Sequence, residues 1–281
     1  MPADRSALGA FLRSRRDRLT PAQAGMTPFP GPRRVPGLRK EELAVLAGLS
    51  PDYYSRLEQG RQANVSVGIL DELARALRLD DVERQHLHDL AAPAGRPGTV
   101  REPPQVADPG LLRVMTTLDH VPVLLLGDRS QVLARNALLR EVLGDPMEPG
   151  RVFSDWLLTD PVARERILNW VEFAQYAVAA LRRESARRPH DRRLHAEIAR
   201  LRTDPDVDRW WEDHRVRDYA SMTKRIQHPA AGTLTFGVEV LVGPLDPGQR
   251  LIVYTCEPGS ATALALPLLT SWALDPVPPR G

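Results

Sequence analysis

Apolar residues recur at helical spacing through the first third of this chain and alternate at strand spacing towards its end. Leu8, Phe11, Leu12 and Leu19 share one side of a segment over about 5–19, which predicts an amphipathic helix. Between residues 40 and 60 the apolar or small positions are Leu43, Ala44, Ala47, Leu49, Tyr54 and Leu57. That is the burial pattern of two short helices crossing at a tight turn, with Ala44 small because the second helix passes over it. Gly48 suits a turn that needs a positive φ, Ser50 is a strong N-cap, and Pro51 suits the first helical position. Ser66 caps a fourth helix to about Leu79, with Leu70, Leu73, Ala74 and Leu77 on one face, and Asp80 caps a fifth over 81–91. The pattern therefore predicts a five-helix, all-α unit over 1–92 containing a helix-turn-helix.

The rest of the chain mixes both periods. Residues 93–110 carry Pro93, Pro97, Pro103, Pro104 and Pro109 with three glycines and read as a linker. Short strands are predicted at Val121–Leu126 and Val132–Ala134 around an Asp128-Arg129-Ser130 turn. Helices follow at about 111–118, 136–143, 161–186, 191–203 and 205–214. Leu234, Phe236, Val238, Val240 and Val242 then alternate along 232–243, and a last strand runs through Leu251 to Cys256. Ser260 caps a closing helix to about Ala273. Strands at both ends with helices between predict one mixed α+β domain over 111–275, its sheet closed by first and last segments, with a tail at 276–281. The fold class overall is α+β.

Charge sharpens the division. Residues 1–63 carry eleven Arg or Lys against six Asp or Glu, although the whole 281-residue chain has a net charge of only +2. A basic N-terminal module on a mildly acidic body suits a DNA reader joined to a second function. Lys40 and Lys224 are the only lysines, and Cys256 is the only cysteine, so no internal disulfide forms. With no long apolar run and a polar N-terminus, the chain reads as cytoplasmic, held in place by DNA, with no membrane partner.

In the predicted second helix of the helix-turn-helix, Tyr54 and Leu57 point inward, leaving Pro51, Asp52, Ser55 and Arg56 to face the major groove. Arg56 can bond guanine, Asp52 can accept from cytosine, and Pro51 can touch a thymine methyl. Asp52 equally suits the positive end of the helix dipole, and Arg56 equally suits an i,i+4 pair with it. Arg39, Lys40, Ser50, Gln59 and Arg61 are the expected phosphate contacts. One helix reads few base pairs, so a homodimer on an inverted repeat of double-stranded DNA is expected.

Several stretches resemble the MmyB-like regulators of the XRE family, a group typical of actinobacteria. They are Val35-Pro36-Gly37-Leu38-Arg39-Lys40-Glu41-Glu42, Asp52-Tyr53-Tyr54-Ser55-Arg56-Leu57-Glu58-Gln59-Gly60-Arg61, Leu70 to Leu77, Thr223-Lys224-Arg225, His228-Pro229 with Gly232, and Val253-Tyr254-Thr255 with Glu257-Pro258-Gly259-Ser260. The resemblance covers about residues 5–270 and implies a PAS-like C-terminal domain that can hold a fatty-acid-like ligand. Arg135, Gln227, Phe236-Gly237-Val238 and the stretch after Arg61 depart from the family pattern.

Trp170, Phe173, Tyr176, Trp211 and Phe236 are the candidate wall of such a ligand pocket, and His228, Lys224 or Arg225 its head-group partners. At helical spacing the same aromatics also suit plain core. The seven histidines lack ligand spacing, so no metal is expected. No nucleophile elbow, phosphate loop or dinucleotide fingerprint occurs, so neither catalytic residues nor an enzyme is expected, and no cofactor beyond a small hydrophobic ligand. The reading is a DNA-binding transcription regulator with a ligand-sensing domain. Its rival is a DNA-binding regulator whose C-terminal domain dimerises or docks a partner without a ligand.

Overall fold

The computed structural model describes residues 5–33, 35–62, 64–92, 105–144, 147–214, 222–242 and 248–274. The chain divides into two compact units, residues 1–99 with 178–218, and residues 100–177 with 219–281.

The first unit contains the expected helices. These are α1 (Arg5–Arg18), α3 (Lys40–Leu46), α4 (Pro51–Glu58), α5 (Val67–Ala76) and α6 (Asp81–Ala91), with a one-turn α2 (Pro21–Ala24) between α1 and α3. Thr20 starts α2 as its N-cap, accepting from Gln23 N. The side chains that define the pattern do form one core: Phe11, Leu12, Leu38, Leu43, Ala44, Tyr54, Leu73 and Leu87 are all fully buried. This unit also takes in part of the second half of the sequence. Its members there are the end of a long helix, together with α12 (Arg192–Leu201) and α13 (Pro205–Glu212). Polar contacts fasten them to α1 and α6. Arg187 Nε meets Asp89 Oδ2 at 3.0 Å, Arg15 Nη2 donates to the carbonyl of His214 at 2.6 Å, and Arg18 pairs with Asp213.

The second unit is a five-stranded antiparallel sheet of order β2-β1-β5-β4-β3, the PAS-like domain implied by the resemblance. After α7 (Pro109–Thr117) come β1 (Val123–Leu126), β2 (Val132–Arg135), α8 (Ala137–Leu143), α9 (Phe153–Thr159), α10 (Pro161–Arg166) and α11 (Trp170–Arg187). The sheet is completed by β3 (Met222–His228), β4 (Gly232–Val242) and β5 (Arg250–Thr255), and α14 (Ala261–Leu274) closes the fold. The first and last strand segments, β1 and β5, lie side by side as expected. Each sheet face is covered. Val123, Leu125, Leu251 and Val253 pack under Leu111, Leu112 and Met115 of α7, and the alternate residues face the other way.

Three expectations need correction. The single helix expected over 161–186 is two, α10 and α11, because Ile167, Leu168 and Asn169 pair with the edge strand β3 instead of continuing the helix. Ile167 bridges to Ile226, Leu168 N donates to the carbonyl of Arg225 at 2.9 Å, and Asn169 Oδ1 accepts from Arg225 N at 3.0 Å. Strand β3 and helix α9 were not anticipated. Of the linker expected over 93–110, residues 93–104 lie outside the described residues, and so does the tail 276–281. Residues 105–110 are fixed to the sheet unit: the Gln249 side chain donates to Val106 O and accepts from Asp108 N, both at 2.9 Å.

Candidate nucleic-acid interface and ligand cavity

The helix-turn-helix is built as its residues suggest. Gly48 holds a φ of +65°, and Leu49 N reaches back to Ala44 O at 2.8 Å, closing α3. Ser50 Oγ accepts from Tyr53 N at 3.1 Å, starting α4 with Pro51 at its first position. Tyr54 and Leu57 are buried, and Pro51, Asp52 and Arg56 are exposed beside half-buried Ser55. All four predicted base-reading residues therefore share the open side of α4. Arg56 Nη1 lies 3.1 Å from Asp52 Oδ2, the i,i+4 pair anticipated as the alternative. With 50% and 78% of the two side chains exposed, the pair is worth only ~0.3–0.5 kcal/mol, little obstacle to exchange for a base.

The residues expected at phosphates divide into two kinds. Arg61 is exposed and Gln59 is exposed, its Nε2 donating to Ser55 Oγ at 3.3 Å. Arg39, by contrast, donates to the carbonyls of Pro30, Gly31 and Pro32 at 3.0, 2.7 and 2.9 Å, so it holds the preceding loop while keeping its full charge. Lys40 Nζ lies 3.5 Å from Glu58 Oε1. Neighbouring Arg33, counted in the sequence among the basic residues before the motif, forks onto buried Glu42 at 3.1 Å through both terminal nitrogens.

Sequence reasoning missed the residues that set the pose of α4. Arg16 of α1 meets Glu58 at 3.0 and 3.2 Å in a bidentate pair and donates to Leu38 O at 2.7 Å. One guanidinium thus ties α1, the segment before α3 and the end of α4. Burial opposes ionisation of Glu58, but hydrogen bonding and charge from Arg16 outweigh it and hold its carboxyl below the usual range. Glu42 is held low too: burial again works against it, while Arg39 N, Arg33 and Phe29 N stabilise the anion.

In the sheet unit a small cavity of about 20 Å³ lies between the sheet and α9 and α11. It is lined by Leu124 and Leu126 of β1, Phe153 and Leu157 of α9, Phe173 of α11, Lys224 of β3, Val238 of β4, and Arg250, Ile252 and Tyr254 of β5. Of the predicted pocket residues, Phe173 lines it, as does Lys224 of the three candidate head-group partners, while Arg225 is exposed. Phe236 is buried beside it, edge-on to Tyr254 with ring centres 5.8 Å apart. Trp170 is tied into the wall by its Nε1 donating to Leu157 O at 2.7 Å, and Tyr176 is half-buried on the same helix. Trp211 belongs to the other unit, where Arg182 and Arg202 stack on its ring at 4.9 and 5.6 Å. His228 is a structural residue: Nδ1 accepts from Ala230 N and Ala231 N at 3.2 and 3.0 Å, so Nε2 donates to Glu141 O at 3.1 Å. Burial, first of all, lowers its pKa.

Lys224, named among the candidate head-group partners, is the charged member of the cavity wall whose surroundings differ most from those of a surface lysine. Only 1% exposed, its Nζ lies 3.1 Å from Tyr254 Oη and 4.3, 5.2 and 5.4 Å from the ring centres of Phe173, Tyr254 and Phe153. Burial alone pushes its pKa down to about 7. The alternation Met222, Lys224, Ile226, His228 on the buried side of β3 places this lysine at a core position.

Fold and sites together define a DNA-binding helix-turn-helix regulator joined to a ligand-binding-type sheet domain. The chain belongs to the MmyB-like transcription regulators: the description "MmyB-like transcription regulator ligand binding domain" matches residues 107–269, and "Helix-turn-helix domain" matches 7–87. A search of curated protein sequences returned no match. The ligand-binding-domain match runs through α12 and α13, which pack with the helix-turn-helix helices.

Proposed function

We propose that this transcription regulator reads DNA through Pro51, Asp52, Ser55 and Arg56 and responds to a small hydrophobic ligand, such as a fatty acid, held in its sheet domain. The observation that carries the first part is the open row of polar residues on α4, whose opposite side is packed against α1 and α3. Arg39, Lys40, Ser50, Gln59 and Arg61 surround that row and are its phosphate contacts. A single α4 spans too few base pairs for specificity, so the active species is a homodimer on an inverted repeat with half-site centres about 10 bp apart or a multiple. Selection of bound duplexes from a random pool tests this: an inverted repeat is expected, and a single short site recovered by a monomer overturns it.

The second part rests on the apolar lining of the cavity, seven of whose ten side chains are Leu, Ile, Val or Phe. A long chain needs those walls to part, since about 20 Å³ holds little more than a water molecule. That small volume favours a second reading, in which the sheet domain docks a partner or a second copy without a ligand. For regulation, the ligand has to favour either the DNA-competent or the incompetent arrangement, because equal affinity shifts no population. Mass spectrometry of lipids extracted from the purified protein, with DNA affinity measured before and after their removal, separates the two.

A further inference from the structure

The cavity lining has an unusual charge balance. Among the described residues it contains two cationic side chains, Lys224 and Arg250, one phenol, Tyr254, and no carboxylate. Burying an ammonium without a counter-charge is costly, and proteins ordinarily pair such groups. Lys224 has no ion pair among the described residues; its neighbours are the Tyr254 hydroxyl and three aromatic rings. Arg250 has a buried Nε without a hydrogen-bond partner and makes no ion pair among the described residues. The elements around the cavity do carry acids, Asp155 on α9, Glu172 and Glu184 on α11 and Glu239 on β4, but none of them lines it. Aromatic faces soften the isolation of the ammonium without neutralising it.

We propose that Lys224 and Tyr254 form an anion anchor inside the sheet domain, so that the ligand is a monoanion with an apolar body, enters head first, and brings about uptake of a proton by Lys224 as it binds. This rests on the reading of the sheet domain as ligand-binding. The anion settles against Lys224 Nζ and the Tyr254 hydroxyl, and the apolar body runs along Leu124, Leu126, Phe153 and Leu157. The proton goes from solvent to Nζ in the fraction of molecules whose lysine is neutral, because only the ammonium compensates the incoming charge. Burial already holds the Lys224 pKa at about 7, and an anion at hydrogen-bond distance raises it again. Among the described residues lining the cavity, Tyr254 is the titratable group at hydrogen-bond distance from Lys224 and Arg250 lies four residues along β5; β1, α9, α11 and β4 contribute only apolar side chains.

Calorimetry on the full chain with octanoate, 1-octanol and octylamine tests the charge requirement at fixed chain length. Octanoate is expected to bind about ten-fold or more tightly than octanol, and octylamine not at all. Octanoate affinity is expected to fall more than about ten-fold from pH 6.5 to 8.5, with octanol unchanged. The octanoate heat should also differ between phosphate and Tris buffers by the proton taken up. Lys224→Met should abolish both the preference and the buffer difference; should that variant not fold, the three-probe comparison on the unaltered chain decides alone. Equal binding of octanoate and octanol, or an octanoate affinity independent of pH and buffer, overturns the anchor and leaves an apolar pocket. Failure of all three probes to bind overturns the ligand reading along with it.

Discussion

Arg16 and Glu58 meet fork to fork at 3.0 and 3.2 Å, each with only 4% of its side chain exposed, across the crossing of α1 and α4. Because Glu58 is the last residue of α4, the pair fixes where the reading helix ends relative to the rest of the domain. Removing Arg16 leaves Glu58 buried with only the longer contacts from Lys40 at 3.5 Å and Arg13 at 3.8 Å, and breaking a buried pair typically costs up to ~3–5 kcal/mol. Arg16→Met is therefore expected to lower the stability of the helix-turn-helix unit by about that amount in a urea titration. Glu58→Gln, which keeps a hydrogen-bonding side chain, should cost less. A loss under about 1 kcal/mol for Arg16→Met would place the pair among weak surface contacts.

The same crossing makes Gly9 indispensable for a steric reason. A Cβ built there would lie 2.1 Å from the carbonyl oxygen of Glu58, a backbone atom that cannot rotate away. In an ordinary helix interior, exchanging glycine for alanine adds up to ~1 kcal/mol of stability. Here Gly9→Ala is expected to destabilise by several times that, measured by thermal unfolding, and to weaken DNA binding by shifting α4.

Acid should undo this unit before it disturbs its surface. Glu42 and Glu58 both have folded-state pKa values below their ordinary ones, so each adds stability above the unfolded value, and that stability disappears as pH falls through the folded one. The share of stability owed to these two carboxylates should be flat from neutrality to about pH 5 and fall steeply below about pH 4.5, on top of an earlier decline from about pH 6.5 owed to His86, whose burial lowers its pKa to about 3. Glu42→Gln should flatten part of that fall while lowering stability at pH 7.

On DNA, Arg56→Ala is expected to cost ~1–3 kcal/mol on the selected site and to relax preference at one position, because the Arg56–Asp52 pair it also removes is exposed and weak. Arg61→Ala should weaken all sequences alike and reduce the salt slope by about one phosphate. Arg39→Ala should do the same and, in addition, loosen the loop at Pro30, Gly31 and Pro32 that its guanidinium holds. Site selection with each variant at two salt concentrations distinguishes the three outcomes.

How far the sequence carried the structure depended on whether an element's reasons were local. Ala44, Gly48, Ser50 and Pro51 state the helix-turn-helix within one short stretch, and the burial of Tyr54 and Leu57 follows from it. The alternation in β4 and β5 was equally plain. Strand β3 was hidden because Lys224 and His228 occupy buried positions where the pattern calls for apolar residues. The break between α10 and α11 depends on Asn169 finding Arg225, far along the chain, and no local signal reports that. The cavity was misassigned for a related reason: its lining comes from β1, β3, β4, β5, α9 and α11, so Trp170 and Trp211, conspicuous in sequence, have other partners.

Lys224 also carries a stability signature that needs no ligand. Its folded-state pKa of about 7 lies well below that of an unfolded lysine, near 10.4. Between those values the unfolded chain holds a proton that the folded chain has released, so this group makes stability rise with pH. Its penalty is complete below about pH 7, where the buried ammonium stays charged, and fades as pH climbs towards 10. Methionine fills much the same volume without a charge, so Lys224→Met is expected to raise the melting temperature most at pH 6 and progressively less towards pH 9. The quantity to follow is the difference in melting temperature between the two proteins, in which titrations common to both cancel. A difference that stays constant from pH 6 to 9 would mean that the lysine does not change protonation in the folded chain, and that its charge is balanced by a partner other than Tyr254 and the rings of Phe153 and Phe173.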